Sequence, residues 1–248
     1  MKKLLGEYIG TLCLTFIGCS TVAVAVLYSS FSSIVPIALI WGAGVTLAIY
    51  ISKGYSSAHL NPAVSFGFYV LKRISLKELL SYFVVQFLGG LTAGVFVFLT
   101  FRADIILFDL PAGEPSVDTA SIFGEFFPNP GYKDLEGQVS VLEACLFEAV
   151  GTFLLMLSIL IVTTLKSTQK FAPILIGLCV AGLIIIIAPF TQCGMNPARD
   201  FGPRLAAYFL QWGAVAFPKP SFSFFTVYIL SPVLGAGLSA LIFKAIKK

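Results

Sequence analysis

Six apolar stretches dominate this chain, each long enough to cross a hydrocarbon core, which takes about 20 helical residues. They run about 4–28, 34–51, 79–101, 139–165, 171–190 and 221–243. Of the 248 residues, 58% are hydrophobic and only 11% charged, against roughly 25% charged in a soluble domain. Too little polar surface remains to cover a water-soluble core, and disorder is excluded because it needs low hydrophobicity and high charge. In lipid every backbone polar group must be bonded internally, and unbroken runs of this length do that as helices. The expectation is an all-α membrane protein. Lys2 and Lys3 before an apolar run imitate a signal peptide, but Glu7 interrupts the run and it is too long for a signal core.

Lysine and arginine bias sets orientation. With six crossings, Lys2, Lys3, Lys53, Lys72, Arg73, Lys77, Lys166, Lys170, Lys244, Lys247 and Lys248 share one side, which is 11 of the 16 basic residues. Both termini are therefore expected in the cytoplasm of a multi-pass protein of the cell membrane. The longest connection, about 102–138, is then external, acidic and irregular, with Pro-Asn-Pro-Gly at 128–131. The net charge of +4 forms no basic stripe and gives no nucleic-acid signal. Cys13, Cys19, Cys145, Cys179 and Cys193 form no Cys-x-x-Cys pair, and His59 is the single histidine, so no metal site is expected.

The chain repeats itself. Glu7-Tyr-Ile-Gly-Thr11 matches Glu148-Ala-Val-Gly-Thr152, and Ala58-His-Leu-Asn-Pro-Ala-Val-Ser-Phe-Gly67 matches Cys193-Gly-Met-Asn-Pro-Ala-Arg-Asp-Phe-Gly202. Gln86-Phe-Leu-Gly-Gly90 matches Pro232-Val-Leu-Gly-Ala236 more loosely. Each half holds three spans, so the second enters from the opposite side. This reads as an inverted 3+3 repeat, about 1–101 and 139–248, within one transmembrane domain of residues 1–248. Such folds place their site at the repeat interface near the midplane.

Asn61-Pro62-Ala63 and Asn196-Pro197-Ala198 each sit between spans. Asn is a favoured helix N-cap and Pro a favoured first helical residue, so each motif starts a helix. The first runs about ten residues before Lys72-Arg73, or roughly 15 Å at 1.5 Å per residue, half a bilayer core. Two re-entrant half-helices are expected to meet by their N-termini in mid-membrane. Each N-terminus carries roughly +0.5 of a charge, so the pair repels cations. The two Asn amides can donate to one passing oxygen. Non-helical backbone before each Asn, at Ser57, Ala58, His59 and Leu60 and at Gln192, Cys193, Gly194 and Met195, exposes carbonyls that must be buried in protein or line a polar cavity. Carbonyls on one wall and apolar side chains on the other suit a neutral hydroxylated solute, not an ion.

With these motifs the chain resembles the aquaporin family, the major intrinsic proteins, over nearly its whole length. The match includes Asn196-Pro-Ala-Arg-Asp-Phe-Gly-Pro203. The resemblance implies six transmembrane helices plus two half-helices, a homotetramer with one pore per protomer, and a four-residue constriction. Its members here are Trp41, Ile184, Cys193 and Arg199. Arg199 is a permanent donor fork that repels cations. Trp41 offers a flat apolar wall, and Ile184 stands where strict water channels carry a His. Asp200 followed by Arg204 resembles the glycerol-conducting branch, although Asp in a first helical turn also suits the dipole. Two features depart from that branch. Cys193 is a small residue found in some water channels, and Tyr228-Ile229 shows an aromatic where glycerol facilitators usually carry Pro.

Glu7 and Glu148 lie inside spans at matching repeat positions, where a carboxylate must be tied down. The resemblance implies that they accept hydrogen bonds from the re-entrant backbone. His59 either lines the pore or anchors its loop. Gly10, Gly89, Gly90, Gly94, Gly235 and Gly237 suit close helix packing. The expected function is passive conduction of glycerol, related polyols and water, without cofactor or chemistry. A strict water channel and a secondary transporter are the alternatives. No metalloprotease His-Glu-x-x-His pattern or serine-nucleophile elbow supports an enzyme.

Overall fold

The computed structural model describes residues 1–220 and 222–247. Ser221, first residue of the sixth predicted run, and Lys248, counted among the basic residues of one side, lie outside the described residues. Among the described residues six helices are long and apolar enough to cross a membrane. In chain order the helices are α1 (Lys2–Tyr28), α2 (Ile34–Ser52), α3 (Pro62–Val70), α4 (Leu76–Asp109), α5 (Val117–Ala120), α6 (Val141–Thr164), α7 (Ala172–Thr191), α8 (Pro197–Ala207) and α9 (Ser223–Ile246). The two half-helices are α3 and α8.

Local chemistry sets the starts. Ser75 with Glu78 and Ser140 with Glu143 form reciprocal capping boxes that open α4 and α6. Asn61 Oδ1 accepts from the Ala63 N–H at 2.8 Å, and Asn196 Oδ1 from the Ala198 N–H at 3.1 Å, with Pro at the first helical position of both α3 and α8. Residue 192 closes α7 in a left-handed conformation, its N–H bonded to the Ala188 carbonyl.

Lipid replaces water outside, so the large side chains face outward: Leu39, Leu99, Leu178, Ile186, Leu234 and Leu241 are all exposed. Without a hydrophobic drive between helices, close backbone approach holds them together. The predicted glycines serve this. A Cβ at Gly89 would stand 2.6 Å from the Tyr8 carbonyl on α1, and one at Gly94 would stand 2.5 Å from the Pro203 Cα on α8. Within each repeat α1 packs on α2 and α4, and α6 on α7 and α9. Across repeats, α2 packs on α7, α3 on α9 and α4 on α8. Each half-helix is therefore held by the long third helix of the other repeat.

Two sequence expectations need correction. The third span was placed at about 79–101, but α4 continues to Asp109. Arg102 and Asp104 mark an end in hydropathy, yet Ile105 is fully buried with Cys19, Ala23 and Trp212 and carries the helix onward. At 34 residues α4 is about 51 Å long, well beyond a hydrocarbon core of about 30 Å. Nor is the 102–138 connection simply an irregular loop. After α4 and a short turn it forms α5, and residues 119–127 are buried. Asp109 fixes this segment by accepting from the Ser116 and Thr119 hydroxyls at 2.7 Å each, and Trp212 Nε1 donates to Thr119 Oγ1 at 2.9 Å.

Candidate functional site

The two half-helices meet head to head, and their caps cross. Asn61 Nδ2 donates to the Met195 carbonyl at 2.9 Å, and Asn196 Nδ2 donates to the Leu60 carbonyl at 2.8 Å. Each cap thus stabilises its own helix with its oxygen and the opposite loop with its nitrogen. One amide hydrogen on each Asn remains for a solute.

The matched glutamates hold the two loops in shape. Glu7 Oε1 accepts from Ser56 Oγ at 2.7 Å and the His59 N–H at 3.0 Å; its Oε2 accepts from the Leu60 N–H at 2.7 Å and Gln86 Nε2 at 2.9 Å. Glu148 Oε1 accepts from Thr191 Oγ1 at 2.7 Å and the Gly194 N–H at 2.8 Å, and its Oε2 from the Met195 N–H at 2.7 Å. Both carboxylates are fully buried. The backbone they hold is strained. Ala58, Leu60, Cys193 and Met195 have φ of 50°, 54°, 66° and 48°, a region that non-glycine residues occupy only when their surroundings over-determine it.

That strain has a consequence. In a trans peptide the N–H and C=O point in opposite directions. The N–H groups of residues 59, 60, 194 and 195 turn toward the carboxylates, so the carbonyls of Ala58, His59, Cys193 and Gly194 turn away from them. These residues line a continuous cavity of about 820 Å³ that runs from Lys53 and Gln169 at one end to Asp118 and Lys133 at the other. Its facing wall is apolar, with Val45, Ile49, Leu155, Ile159, Ile176 and Val180.

All the predicted lining residues reach this cavity: Ser57, Ala58, His59, Leu60, Gly194 and Met195, as well as Asn61 and Asn196. So do Trp41, Ile184, Cys193 and Arg199. The Arg199 guanidinium lies over the Trp41 ring, 4.4 Å from its centroid. Gly18 on α1 makes room for that indole, because any Cβ there would collide with it. His59 combines both readings made for it. It lines the cavity, accepts or donates through Nδ1 to Ser65 Oγ at 3.2 Å, and stacks on Phe68 at 4.4 Å between centroids.

The predicted branch markers lie elsewhere. Asp200 and Arg204 are fully buried and do not line the cavity. They pair side by side on α8, with Asp200 Oδ1 accepting from Arg204 Nη2 at 2.7 Å. Asp200 Oδ1 also accepts from the Glu125 N–H at 2.8 Å, and Arg204 donates to the Glu125 and Ala216 carbonyls. Their geometry is that of an anchor for the buried 119–127 segment. Tyr228 is likewise off the cavity, fully buried, with its hydroxyl donating to the Thr191 carbonyl at 3.2 Å. One residue escaped the sequence reading. Glu125, from the connection taken as an acidic external loop, is buried against Arg199, forms an ion pair with it and lines the cavity. Its acid neighbours in sequence gave no signal to single it out.

Among the described residues no cluster of three or more His, Cys, Asp or Glu can hold a metal.

Residues 1–243 match the family described as Major intrinsic protein. The glycerol uptake facilitator protein of Pseudomonas aeruginosa is 36% identical over 245 residues, covering 95% of this chain and 85% of that protein. That of Escherichia coli (strain K12) is 32% identical over 249 residues, covering 97% and 86%. A propanediol uptake facilitator of Citrobacter freundii is 30% identical over 249 residues, covering 97% and 90%. The solved aquaglyceroporin from Plasmodium falciparum superposes with a TM-score of 0.84 at 23% identity, over 99% of this chain and 96% of that one, and shows the shared fold. Crossed Asn caps, glutamate-held re-entrant loops and a match over nearly the whole length place this multi-pass membrane protein in the major intrinsic protein family.

Proposed function

We propose that this protein is a passive channel for glycerol and related small polyols, with water passing alongside. The observation that carries this reading is the two-faced cavity. Backbone carbonyls line one side and Ile184 and the aliphatic wall the other, with the Arg199 guanidinium lying on the Trp41 ring at the constriction. A polyol has the same division, hydroxyls along one edge and carbon along the other. The relatives named as glycerol and propanediol facilitators support the same solute class.

In this mechanism the solute loses its water at the constriction. Arg199 donates to a hydroxyl oxygen, and the carbonyls of Cys193 and Gly194 accept its protons. At the midpoint the free amide hydrogens of Asn61 and Asn196 hold the oxygen while the carbon chain slides on the apolar wall. Pro62, Ala63, Pro197 and Ala198 set the helix starts whose dipoles oppose cations and protons. No covalent step, cofactor or enzymatic activity enters this reading.

The same reading treats residues 1–248 as one channel domain, with repeats about 1–101 and 139–248. It places the protein in the cell membrane with both termini cytoplasmic, by its lysine and arginine bias, and assembles it as a homotetramer by family resemblance.

The test is stopped-flow light scattering on proteoliposomes. Sucrose shrinks them and reports water flux; glycerol shrinks and then reswells them. Rapid, unsaturable reswelling with low activation energy is the expected result. Small Cys193 and aromatic Tyr228 favour a second reading, a strict water channel, which would give fast shrinkage without reswelling. Saturable flux coupled to an ion gradient would instead indicate a transporter.

A further inference from the structure

Leu14 and Val22 line the cavity from α1. They stand four residues either side of Gly18, and residues four apart share one face of a helix. Position 18 therefore faces the lumen between them, yet Gly18 is buried and does not line the cavity. The repeat that pairs Glu7 with Glu148 pairs Leu14, Gly18 and Val22 with Leu155, Ile159 and Thr163 on α6, and all three of those line it. The second repeat fills the middle place of its lumen-facing stripe with an isoleucine. The first leaves that place without a side chain.

Trp41 from α2 occupies it instead. A Cβ on Gly18 would lie 2.0 Å from Cη2, 2.1 Å from Cζ2 and 2.2 Å from Cζ3 of the indole. The outer edge of the six-membered ring is thus seated on the α1 backbone, with the Arg199 guanidinium over the ring, 4.4 Å from its centroid. Carbon atoms pack at about 3.5–4.0 Å, so a methyl group at position 18 displaces the ring edge by roughly 1.5 Å. The helices do not supply that distance. Ser52 Oγ on α2 donates to the Gly6 carbonyl on α1 at 2.9 Å and ties the two together. Behind α2, a Cβ at Gly42 would stand 2.5 Å from the Gly177 carbonyl oxygen on α7. With α1 behind the ring edge and Arg199 over the ring, the indole moves toward the lumen.

We infer that Gly18 is a positioning residue of the constriction: its missing side chain seats Trp41 in the α1 wall and so sets the width through which a polyol passes. The solute in this inference rests on the polyol reading above, which it deepens. A polyol is broader than a water molecule, so an indole pushed inward obstructs the polyol first. Part of the selectivity carried by Trp41 is thus set by a residue that never touches the solute.

The test is a double-mutant cycle in proteoliposomes. Wild type, Gly18→Ala, Trp41→Phe and Gly18→Ala/Trp41→Phe are each read for glycerol and water permeability in the same vesicles. Phenylalanine lacks the outer ring atoms that the added methyl group would meet. Gly18→Ala is expected to lower glycerol permeability about tenfold, within the cost of inserting a methyl group into a packed site, and to lower the glycerol-to-water ratio with it. In the Trp41→Phe background the same substitution is expected to change neither solute by more than about twofold, because the coupled partner is gone. An unchanged ratio in Gly18→Ala overturns the inference, because α1 then absorbs the methyl group. An equal loss in both backgrounds also overturns it, because Gly18 then acts through helix packing and not through the indole. If Gly18→Ala gives no folded channel, the double variant decides: recovered melting temperature and flux support the inference, and failure to recover overturns it. A wild type closed to glycerol overturns the polyol reading alone. The seating of Trp41 is then read from water flux, which Gly18→Ala should lower only where Trp41 is present.

Discussion

Removing the Glu148 carboxylate tests whether strained backbone, and not side chains alone, makes the conducting wall. The carboxylate accepts from the Gly194 and Met195 N–H groups and from the Thr191 hydroxyl. In Glu148→Leu the hydroxyl can rotate to another acceptor, but two buried N–H groups are orphaned. Each orphan costs roughly 1–3 kcal/mol, so together about 2–6 kcal/mol, reduced by the gain from no longer burying a carboxylate. Against a net stability of about 5–15 kcal/mol this is a large fraction. The cheapest relaxation is for Cys193 and Met195 to leave φ of 66° and 48°, which swings the 193 and 194 carbonyls off the cavity. Glu148→Gln keeps one acceptor but sets its NH₂ against a backbone donor, orphaning about one bond and costing about 1–3 kcal/mol. The order of thermal stability in detergent should be wild type, then Gln, then Leu, and glycerol flux should follow it, with Leu down at least about tenfold. Leu matching wild type in melting temperature and in flux would refute the argument that the carboxylate maintains the carbonyl wall.

Cys193 lines the cavity beside Arg199, so mercuric chloride should block conduction in wild type and not in Cys193→Ser; equal sensitivity of the variant in stopped-flow assays would remove Cys193 from the pore wall. Trp41→Ala removes the apolar face and the ring under the Arg199 guanidinium, so water flux should rise while the glycerol-to-water ratio falls severalfold. Arg204→Met leaves Asp200 as an unpaired buried charge and frees two carbonyls, a loss on the order of 3–5 kcal/mol, read as a lower melting temperature. Asp200→Asn/Arg204→Met together should recover part of that loss, because no lone charge remains.

The motifs that were legible share one property: their chemistry is local. Asn-Pro at a helix start needs only its own next two residues, so α3 and α8 begin where the motif says. Glu7 and Glu148 were legible because an intramembrane carboxylate is too costly to leave untied. Their partners, the N–H groups at 59, 60, 194 and 195, were not read directly, because the contacts span 52, 53, 46 and 47 residues. Hydropathy misplaced the end of α4 because it weighs Arg102 and Asp104 as polar without knowing that Ile105 is buried in the cluster that holds Trp212.

Glu125 marks the boundary of what a single chain reveals. It sits in a loop with several other acids, and its side chain could as well have faced water. Only the fold brings residues 125 and 199 together, through Asp109, Thr119 and Trp212 at one end and the Asp200–Arg204 pair at the other. The sequence by itself determined the membrane solvent, the six crossings, the inverted halves and the two facing helix starts, because length, apolarity and capping act within a few residues or over whole segments. The tertiary structure alone decided which carbonyls face the lumen and which charge answers Arg199. Those depend on contacts between distant segments, whose registry is set by glycine-close packing and buried hydrogen bonds that no local pattern encodes.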